Sequence, residues 1–237
     1  MNRPTDIQLY ATPPQQCSYL PDREAVSIFV EPGAADNPIY SHLIRHGFRR
    51  SGEHIYRPAC PGCQACVSVR IPVAHFTPSR RDRRCRKRNQ DLVGHWLKGH
   101  YAPEYFELYQ RYLAARHPGG GMDKTSPSQF RQFLLSRWSQ TLFLELRQDE
   151  QLMAVACTDL VDDGLSAVYT FFEPGAEPRG LGNYAILQQI DLARRLHLDW
   201  VYLGYWIENS PKMAYKRRFR PLQGYQGDRW RTLAEEP

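Results

Sequence analysis

The stretch TLFLELRQDEQLMAVACTDLVDDGLSAVYTFF, residues 141–172, decides the fold of this chain. Three runs rich in apolar and β-branched residues alternate with short polar segments, and such runs are typical of β-strands. The predicted strands are Thr141–Arg147, Leu152–Leu160 and Leu165–Phe172. Because turns of only a few polar residues join them, we predict an antiparallel meander.

The elements around the meander complete the second half of the chain. Two helices are predicted before it, over Pro103–Arg116 and about Ser128–Trp138, with a mobile loop at His117–Gly121 between them. The elements predicted after it are a helix over Gly182–His197, a strand over Trp200–Trp206, a short helix near Pro211–Arg218 and a last strand around Trp230. This order resembles that of the GNAT-type acyltransferases, so we predict an α+β fold with a GNAT-like domain over residues 99–237.

The first half has a different pattern. The predicted helices are Ile39–His46, which Gly47 ends, and the basic segment Ser79–His95. The predicted strands are Glu24–Val30, Phe48–Tyr56 and Val67–Val73. Three cysteines crowd into the turn before the last of these strands. We therefore predict a smaller α+β region with a cysteine cluster over residues 1–98.

Composition excludes several classes of protein. The chain has 237 residues, 42% hydrophobic and 24% charged, which is ordinary for a folded globular protein. It contains no run of roughly 18 apolar residues, the length that a membrane span needs. Its polar, proline-containing start has no apolar signal-peptide core. We therefore expect a soluble cytoplasmic protein, whose six cysteines would stay reduced.

The positive charge of the chain is concentrated in one run. In total, 31 basic residues against 25 acidic ones give a net charge of +6. Residues 80–88 alone carry seven basic side chains and one acidic one, Asp82, which is also +6. The basic residues are Arg80, Arg81, Arg83, Arg84, Arg86, Lys87 and Arg88. Such a patch suits a phosphate backbone, and the alternative is an ordinary solvated helix face.

A glycine-containing loop precedes the helix predicted at residue 182. The loop, Arg179–Tyr184, carries Gly180 and Gly182. Glycines let the backbone approach a ligand, and the free N–H groups at a helix start favour an anion. In acetyltransferases a similar loop holds the pyrophosphate of coenzyme A. A plain tight turn is the alternative, but the position after the meander favours a ligand site.

The segment Tyr202–Lys216 combines aromatic residues with two lysines. Gly204 interrupts its aromatic strand, and a strand glycine often marks close approach of a ligand or of backbone. Lys212 and Lys216 lie one helical turn apart, so both can face one phosphate or carboxylate. The alternative is a set of core aromatics with two solvated lysines.

Cysteines of the first half have the spacing of a metal site. Cys60, Cys63 and Cys66 form C-x-x-C-x-x-C, and Cys17 is a possible fourth ligand. Four thiolates suit zinc or an iron–sulfur cluster. A reduced, packed cysteine turn is the alternative, and the spacing alone does not decide between them.

Ordered motifs along nearly the whole chain carry a family resemblance. They include CSYLP at 17–21, GFRRSG at 47–52, DGLSAVYTFF at 163–172, YLGYWI at 202–207 and KMAYK at 212–216. The chain resembles the bacterial aspartate/glutamate leucyltransferases, relatives of the eukaryotic arginyl-tRNA–protein transferases. The resemblance implies transfer of leucine from leucyl-tRNA to proteins that begin with Asp or Glu, which marks them for N-degron degradation.

The sequence departs from that family at two positions. Gly180 stands where the family loop usually has serine, so one hydroxyl contact is lost while the backbone role survives. Leu20 stands where the eukaryotic enzymes have the second cysteine of a C-x-x-C that helps to bind an iron–sulfur cluster. A cluster is therefore not carried over to this chain with certainty.

The resemblance implies a role for each candidate residue. The 3′ end of the aminoacyl-tRNA would contact Arg179, Gly182, Tyr184, Tyr202, Tyr205, Lys212, Tyr215 and Lys216. The basic residues of 80–88 would bind tRNA phosphates. Arg57, Arg70 and Lys212 are candidates for the acidic acceptor residue, which needs a cation. Glu173 is the first candidate for the catalytic base, and Asp159 and Glu208 are the second. Transfer from an activated ester needs no cofactor.

Two other functions explain part of the sequence. An acetyl-CoA-dependent N-acetyltransferase would account for the order of elements and the glycine loop, but not for the arginine run. An RNA-binding protein without enzymatic activity would account for the charge, but not for the acyltransferase order. Leucyl-tRNA or acetyl-CoA offered with peptides that start with Asp, Glu or Ala separates the three.

Overall fold

The structure, a computed structural model, describes residues 7–31, 33–116, 125–208 and 210–234. Within these ranges the α-helices are α1 (Asn37–Ile44), α2 (Arg80–Arg88), α3 (Pro103–Arg116), α4 (Pro127–Leu134) and α5 (Leu181–Arg195). Shorter 3-10 helices cover Val73–His75, Pro174–Arg179 and Ala214–Arg218. None of the described helices has the length and apolar composition that crossing a membrane requires. The loop predicted at His117–Gly121 lies outside the described residues.

The strands belong to one large sheet and two small ones. Those of the first half are β1 (Leu9–Ala11), β2 (Gln15–Gln16), β3 (Glu24–Ala25), β4 (Ser27–Val30), β5 (Arg49–Ser51), β6 (His54–Pro58), β7 (Val67–Pro72) and β8 (Val93–Lys98). Those of the second half are β9 (Gln140–Gln148), β10 (Gln151–Val161), β11 (Gly164–Phe172), β12 (Trp200–Trp206), β13 (Gln223–Gln226) and β14 (Arg229–Thr232). In the described chain the large sheet has eight strands in the order β14-β13-β7-β12-β11-β10-β9-β8. The fold is therefore α+β with one large mixed sheet.

Helices cover both faces of the large sheet, as alternation along β10 shows. Ala154 and Ala156 belong to a core that includes α5. Val155 and Cys157 belong to a second core, with the apolar residues of α3 and α4. Successive strand residues point to opposite faces, so a strand covered on both sides is apolar along its whole length. This explains the nearly continuous apolar runs within residues 141–172.

The predicted meander is confirmed, with antiparallel pairing of β9 with β10 and of β10 with β11. The predicted bounds of α3 and β12 are also correct. The basic helix is shorter than predicted and ends at Arg88. There the Asn89 side chain donates from Nδ2 to Cys85 O at 2.9 Å and to Arg179 O at 2.9 Å. The residues that follow form β8, an edge strand that the sequence prediction missed.

Other boundaries differ for local reasons. The single strand predicted over Phe48–Tyr56 is a hairpin of β5 and β6 that turns at Gly52, whose φ is +58°. A Cβ there would lie 2.0 Å from the backbone oxygen of Gln132, so only glycine fits this close approach. The strand predicted over Glu24–Val30 is two short strands, and β13 was not predicted.

Strands from before residue 99 take part in the large sheet. β7 lies between β13 and β12, and β8 forms one edge. A smaller sheet in the order β1-β4-β6-β5 and a pair of β2 with β3 account for the other strands of the described residues. The division of the chain at residue 98 stays a prediction.

Candidate active site

A cavity opens where two central strands separate. β11 and β12 pair in parallel over Gly164–Ser166 and Trp200–Tyr202. The next residues of both strands, Ala167–Thr170 and Leu203, line a cavity of about 470 Å³. Backbone N–H and C=O groups that are no longer paired between the two strands need other partners. The split between β11 and β12 is therefore a natural place for a ligand.

The glycine loop forms one wall of this cavity. Gly180, Gly182 and Asn183 line it, together with Glu177 from the preceding 3-10 helix. Gly180 precedes α5 with a left-handed φ of +68°, and it makes no side-chain cap. Asn183 N donates to Gly180 O at 3.0 Å, but no side chain caps the start of α5, and an anion is the ligand that free N–H groups at a helix start favour.

The basic helix α2 is fixed directly beside this loop. Arg179 and Asn89 exchange hydrogen bonds, Nδ2 to O at 2.9 Å and Nε to Oδ1 at 3.1 Å. Arg86 forms a two-point ion pair with Asp191 of α5, with Nη2 donating to Oδ1 at 2.9 Å. These contacts use Arg179 and Arg86 for structure. The other basic residues of the run, Arg80, Arg81, Arg83, Arg84, Lys87 and Arg88, are exposed.

The two lysines predicted to act together both line the cavity, as does Tyr215. Lys212 and Tyr215 are exposed, whereas Lys216 is buried. Lys216 donates from Nζ to the backbone oxygen of Tyr205. Burial, and to a lesser degree the nearby Arg49 guanidinium, lower the pKa of Lys216 to about 7. The cavity thus contains an amine whose pKa is close to cellular pH, so that it is partly neutral.

The other aromatic candidates pack away from the cavity. Tyr184 lies in the core around α5. Tyr202 is buried in the core of the small sheet, and its hydroxyl donates to Asp163 at 3.2 Å. The Tyr205 hydroxyl donates to the backbone oxygen of Gly47 at 3.0 Å. For Tyr184 and Tyr202 the structure gives the core-packing alternative, whereas Tyr205 is partly buried and lines a second cavity.

No candidate for the catalytic base lies among the residues that line this cavity in the described chain. Asp159 is fully buried and paired with Arg50, at 2.6 Å from Nε to Oδ2. Glu173 pairs with Arg111 at 2.9 Å, and Glu208 is exposed beside a separate groove. The carboxylate that does line the cavity is Glu177, which sequence reasoning did not single out.

The arginines predicted for the acceptor also lie elsewhere. The Arg70 guanidinium lies 3.3 Å from the ring centroid of Trp200 and 4.2 Å from that of Trp230. Its Nε donates to Gln223 at 2.9 Å. Arg57 lines a second cavity, of about 610 Å³, together with the cysteine turn. Cation–π stacking therefore occupies Arg70, and Arg57 faces a different space.

The cysteine turn lines the second cavity with Cys60, Cys63 and Cys66. All described cysteines are free thiols, Cys17 included. Burial raises the pKa of Cys66 to about 11, and the neighbouring Cys60 and Cys17 raise it as well. No three His, Cys, Asp or Glu side chains of the described residues are placed to hold a metal ion. The predicted zinc or iron–sulfur site stays a prediction, which metal analysis of the purified protein would test.

One residue at the split was missed entirely by sequence reasoning. Arg49 of β5 is buried, and its Nη2 donates to Ala167 O of β11 at 2.6 Å. Across the split, the position of a Cβ on Gly204 would lie 3.4 Å from the same Nη2. Gly204, at φ +82°, therefore makes room for a guanidinium between the separated strands.

Comparison with known proteins shows which family this chain matches. The family model for the N terminus of arginine-tRNA-protein transferase matches residues 15–84, and that for the C terminus matches 104–226. An aspartate/glutamate leucyltransferase of Nitrosococcus oceani is 50% identical over 97% of this chain and 98% of its own length. One of Thiobacillus denitrificans is 50% identical over 96% of this chain and 95% of its own length. The solved structure of L-PGS from Bacillus licheniformis is similar with a TM-score of 0.47 and 12% identity, covering 62% of this chain and 49% of that one.

These matches extend over nearly the full length of this chain and of each of the two relatives. The two family models together cover most of the chain, and the first of them ends within the basic helix. The resemblance stated from the sequence motifs is thereby confirmed. This chain is a transferase that belongs to the arginine-tRNA-protein transferase family, among the aspartate/glutamate leucyltransferases.

Proposed function

We propose that this protein transfers leucine from leucyl-tRNA to the α-amino group of proteins whose first residue is Asp or Glu. The names of relatives that are 50% identical over nearly the whole chain support this function. The products would enter N-degron degradation, and we expect the enzyme in the cytoplasm. The separation of β11 from β12 supports a GNAT-like domain with a cysteine-containing N-terminal region.

One observation carries the proposal: the basic helix α2 is fixed against the loop that lines the cavity. Arg179 binds Asn89 at the end of α2, and the neighbouring Gly180 lines the cavity. A tRNA acceptor arm whose phosphates contact α2 would therefore present its 3′ end to the cavity. A small acyl donor such as acetyl-CoA would not need six exposed cations at this place.

The walls of the cavity suit a leucyl group better than an arginyl group. Much of the lining is aromatic or aliphatic, from Tyr112, Tyr169, Phe172, Ile186 and Leu203. Among the described residues, the charged ones that line the cavity are Arg116, Lys212, Lys216 and Glu177. With three cations and one anion, these walls repel a cationic side chain and attract the polyanionic tRNA.

Catalysis in this proposal rests on position. The acceptor nitrogen attacks the ester carbonyl carbon, the new C–N bond forms, and the bond to the ribose oxygen breaks. The proton lost by the amine ends on that oxygen. Because the ester is already activated, the enzyme supplies close approach and stabilises the oxyanion. We assign Glu177 to the α-ammonium of the leucyl group, since it is the acidic lining residue.

Replacing Glu177 with Gln is therefore expected to raise the KM for leucyl-tRNA about 3- to 10-fold, since an exposed ion pair contributes about 1 kcal/mol. Steady-state kinetics at saturating acceptor peptide would measure the change. The matched variant is Glu173→Gln, four residues earlier and paired with Arg111. A larger loss in Glu173→Gln, seen in single-turnover rates, would restore Glu173 as the catalytic base.

The function itself is tested with labelled leucyl-tRNA, arginyl-tRNA and acetyl-CoA. Each donor is offered with peptides that start with Asp, Glu or Ala. We expect product from leucyl-tRNA with the Asp and Glu peptides, and none after the donor is digested with ribonuclease. Product from acetyl-CoA alone would replace this proposal with the N-acetyltransferase alternative.

A further inference from the structure

Arg49 is a buried cation with unused hydrogen-bonding capacity. Only 5% of the residue is exposed, and its Nη1 has no hydrogen-bond partner in the described residues. Its Nη2 is bound to Ala167 O, and Ala167 lines the cavity. The guanidinium does not itself line the cavity but lies directly behind Ala167, and its Nη1 is left without a partner among the described residues.

A second cation is buried next to it. Lys216 lines the same cavity, is 7% exposed and interacts electrostatically with Arg49. Within the described residues, neither Arg49 nor Lys216 forms an ion pair with a carboxylate. A buried guanidinium next to a buried amine that can take up a proton, with no carboxylate beside either, is costly, and a bound anion would offset that cost.

We infer that Arg49 and Lys216 form the subsite for the side-chain carboxylate of the acceptor's first residue. The inference rests on the proposed function, in which the acceptor contributes that carboxylate. Arginine suits this role because its planar fork binds a carboxylate at two points. The subsite lies at the split, where the α-amine of the same residue would meet the ester. Of the candidates from the sequence, Arg57 and Arg70 are directed elsewhere, and Lys212 lines the cavity but is exposed.

A tRNA phosphate is a less suitable occupant. The phosphate backbone is bulky and hydrated, and Arg49 is nearly inaccessible to solvent. A single carboxylate on a flexible side chain can enter between the separated strands. A site that hydrogen-bonds a carboxylate also rejects the matching amide, because the buried cations then stay unpaired. The subsite would therefore distinguish Asp from Asn.

The test compares kcat/KM for peptides that begin with Asp and with Asn, using the full chain and leucyl-tRNA. In Arg49→Gln we expect the Asp-to-Asn ratio to fall about 10- to 100-fold, the worth of a hydrogen bond to a charged group. Arg49→Lys keeps a cation and should retain more of the ratio. Lys216→Met should lower the ratio as well.

The matched control is Arg116→Gln, which removes an exposed cation from the same cavity. It should change the rates with both peptides by one common factor. Thermal unfolding shows which variants fold. If Arg49→Gln does not fold, Lys216→Met still tests the subsite. An unchanged Asp-to-Asn ratio in folded Arg49 and Lys216 variants would overturn the inference. The proposed function fails separately, if the unmodified protein does not use leucyl-tRNA.

Discussion

Replacing Asp159 with Asn is expected to lower the free energy of unfolding by about 3–5 kcal/mol, the usual result of breaking a fully buried ion pair. Both side chains of the Arg50–Asp159 pair are 0% exposed. Asp159 accepts from Arg50 Nε at 2.6 Å, from Arg50 Nη2 at 2.7 Å and from Thr141 Oγ1 at 2.8 Å. The change would leave the Arg50 guanidinium charged and buried without a counter-ion.

The charge state of Arg50 explains why the loss is large. Burial lowers the pKa of Arg50, but the carboxylate of Asp159 raises it more, so the net pKa is above its ordinary value. Arg50 therefore stays charged at neutral pH. Its remaining contacts, Nη1 to Gly52 O at 3.0 Å and Nη2 to Leu134 O at 3.2 Å, do not neutralise it.

Chemical denaturation of the single and double variants measures this effect. Arg50→Leu combined with Asp159→Leu should be less destabilised than the sum of the single changes, which a double-mutant cycle reports directly. Asp162→Asn is the matched control, since Asp162 is exposed and lies 4.0 Å from Arg45. It should change stability by less than about 1 kcal/mol. A stable Asp159→Asn protein with a large loss of kcat would instead make Asp159 catalytic.

The same hairpin links stability to the candidate site. Arg49 and Arg50 are adjacent on β5, so their side chains leave the strand on opposite faces. Arg50 anchors the strand to β10 through Asp159, while Arg49 reaches into the split between β11 and β12. The buried pair is thus a positioning device for Arg49. Sequence shows only two neighbouring arginines, and their separate roles depend on which strand lies opposite each face.

Local sequence patterns predicted the elements whose own residues determine where they begin and end. The meander was recognisable because its strands are long and apolar and its turns are short and polar. The end of α2 was not, because Asn89 stops the helix with a hydrogen bond to Arg179, which is 90 residues distant in sequence. β8 was missed for a related reason. Its side chains are exposed almost throughout, apolar Val93 and Leu97 included, so no alternation of apolar and polar residues marks it, and only its pairing with β9 makes it a strand.

The sequence does not reveal which candidate site residues are buried or already paired within the protein. Lys212, Tyr215, Lys216 and Gly182 were named from sequence, and all four line the cavity. Arg70 was a reasonable candidate for a carboxylate, but Trp200 and Trp230 stack on it. A basic residue is available to a ligand only if no partner within the protein satisfies it, and sequence does not record such partners.

The exposed face of α2 gives the other large expected effect. Replacing Arg80, Arg84, Lys87 and Arg88 with Gln should weaken leucyl-tRNA binding by roughly a hundredfold at low salt and flatten its salt dependence. The four side chains follow i, i+4, i+7 and i+8, so they share the face opposite buried Asp82 and Cys85. Each phosphate contact contributes about −0.9 to the slope of log affinity against log salt, so four contacts give roughly a hundredfold change over a fourfold rise in salt.

Measuring the KM for leucyl-tRNA between about 50 and 200 mM salt separates this electrostatic role from a structural one. The contacts that hold α2 in place, between Arg86 and Asp191 and between Asn89 and Arg179, remain intact in the variant, so its thermal unfolding should stay unchanged. Arg137→Gln is the matched control, because that side chain is 93% exposed but belongs to another surface. Because the helix lies outside the cavity, kcat at saturating tRNA should be preserved. A variant with an unaltered salt slope would show that tRNA phosphates bind elsewhere, and α2 would then be an ordinary solvated helix.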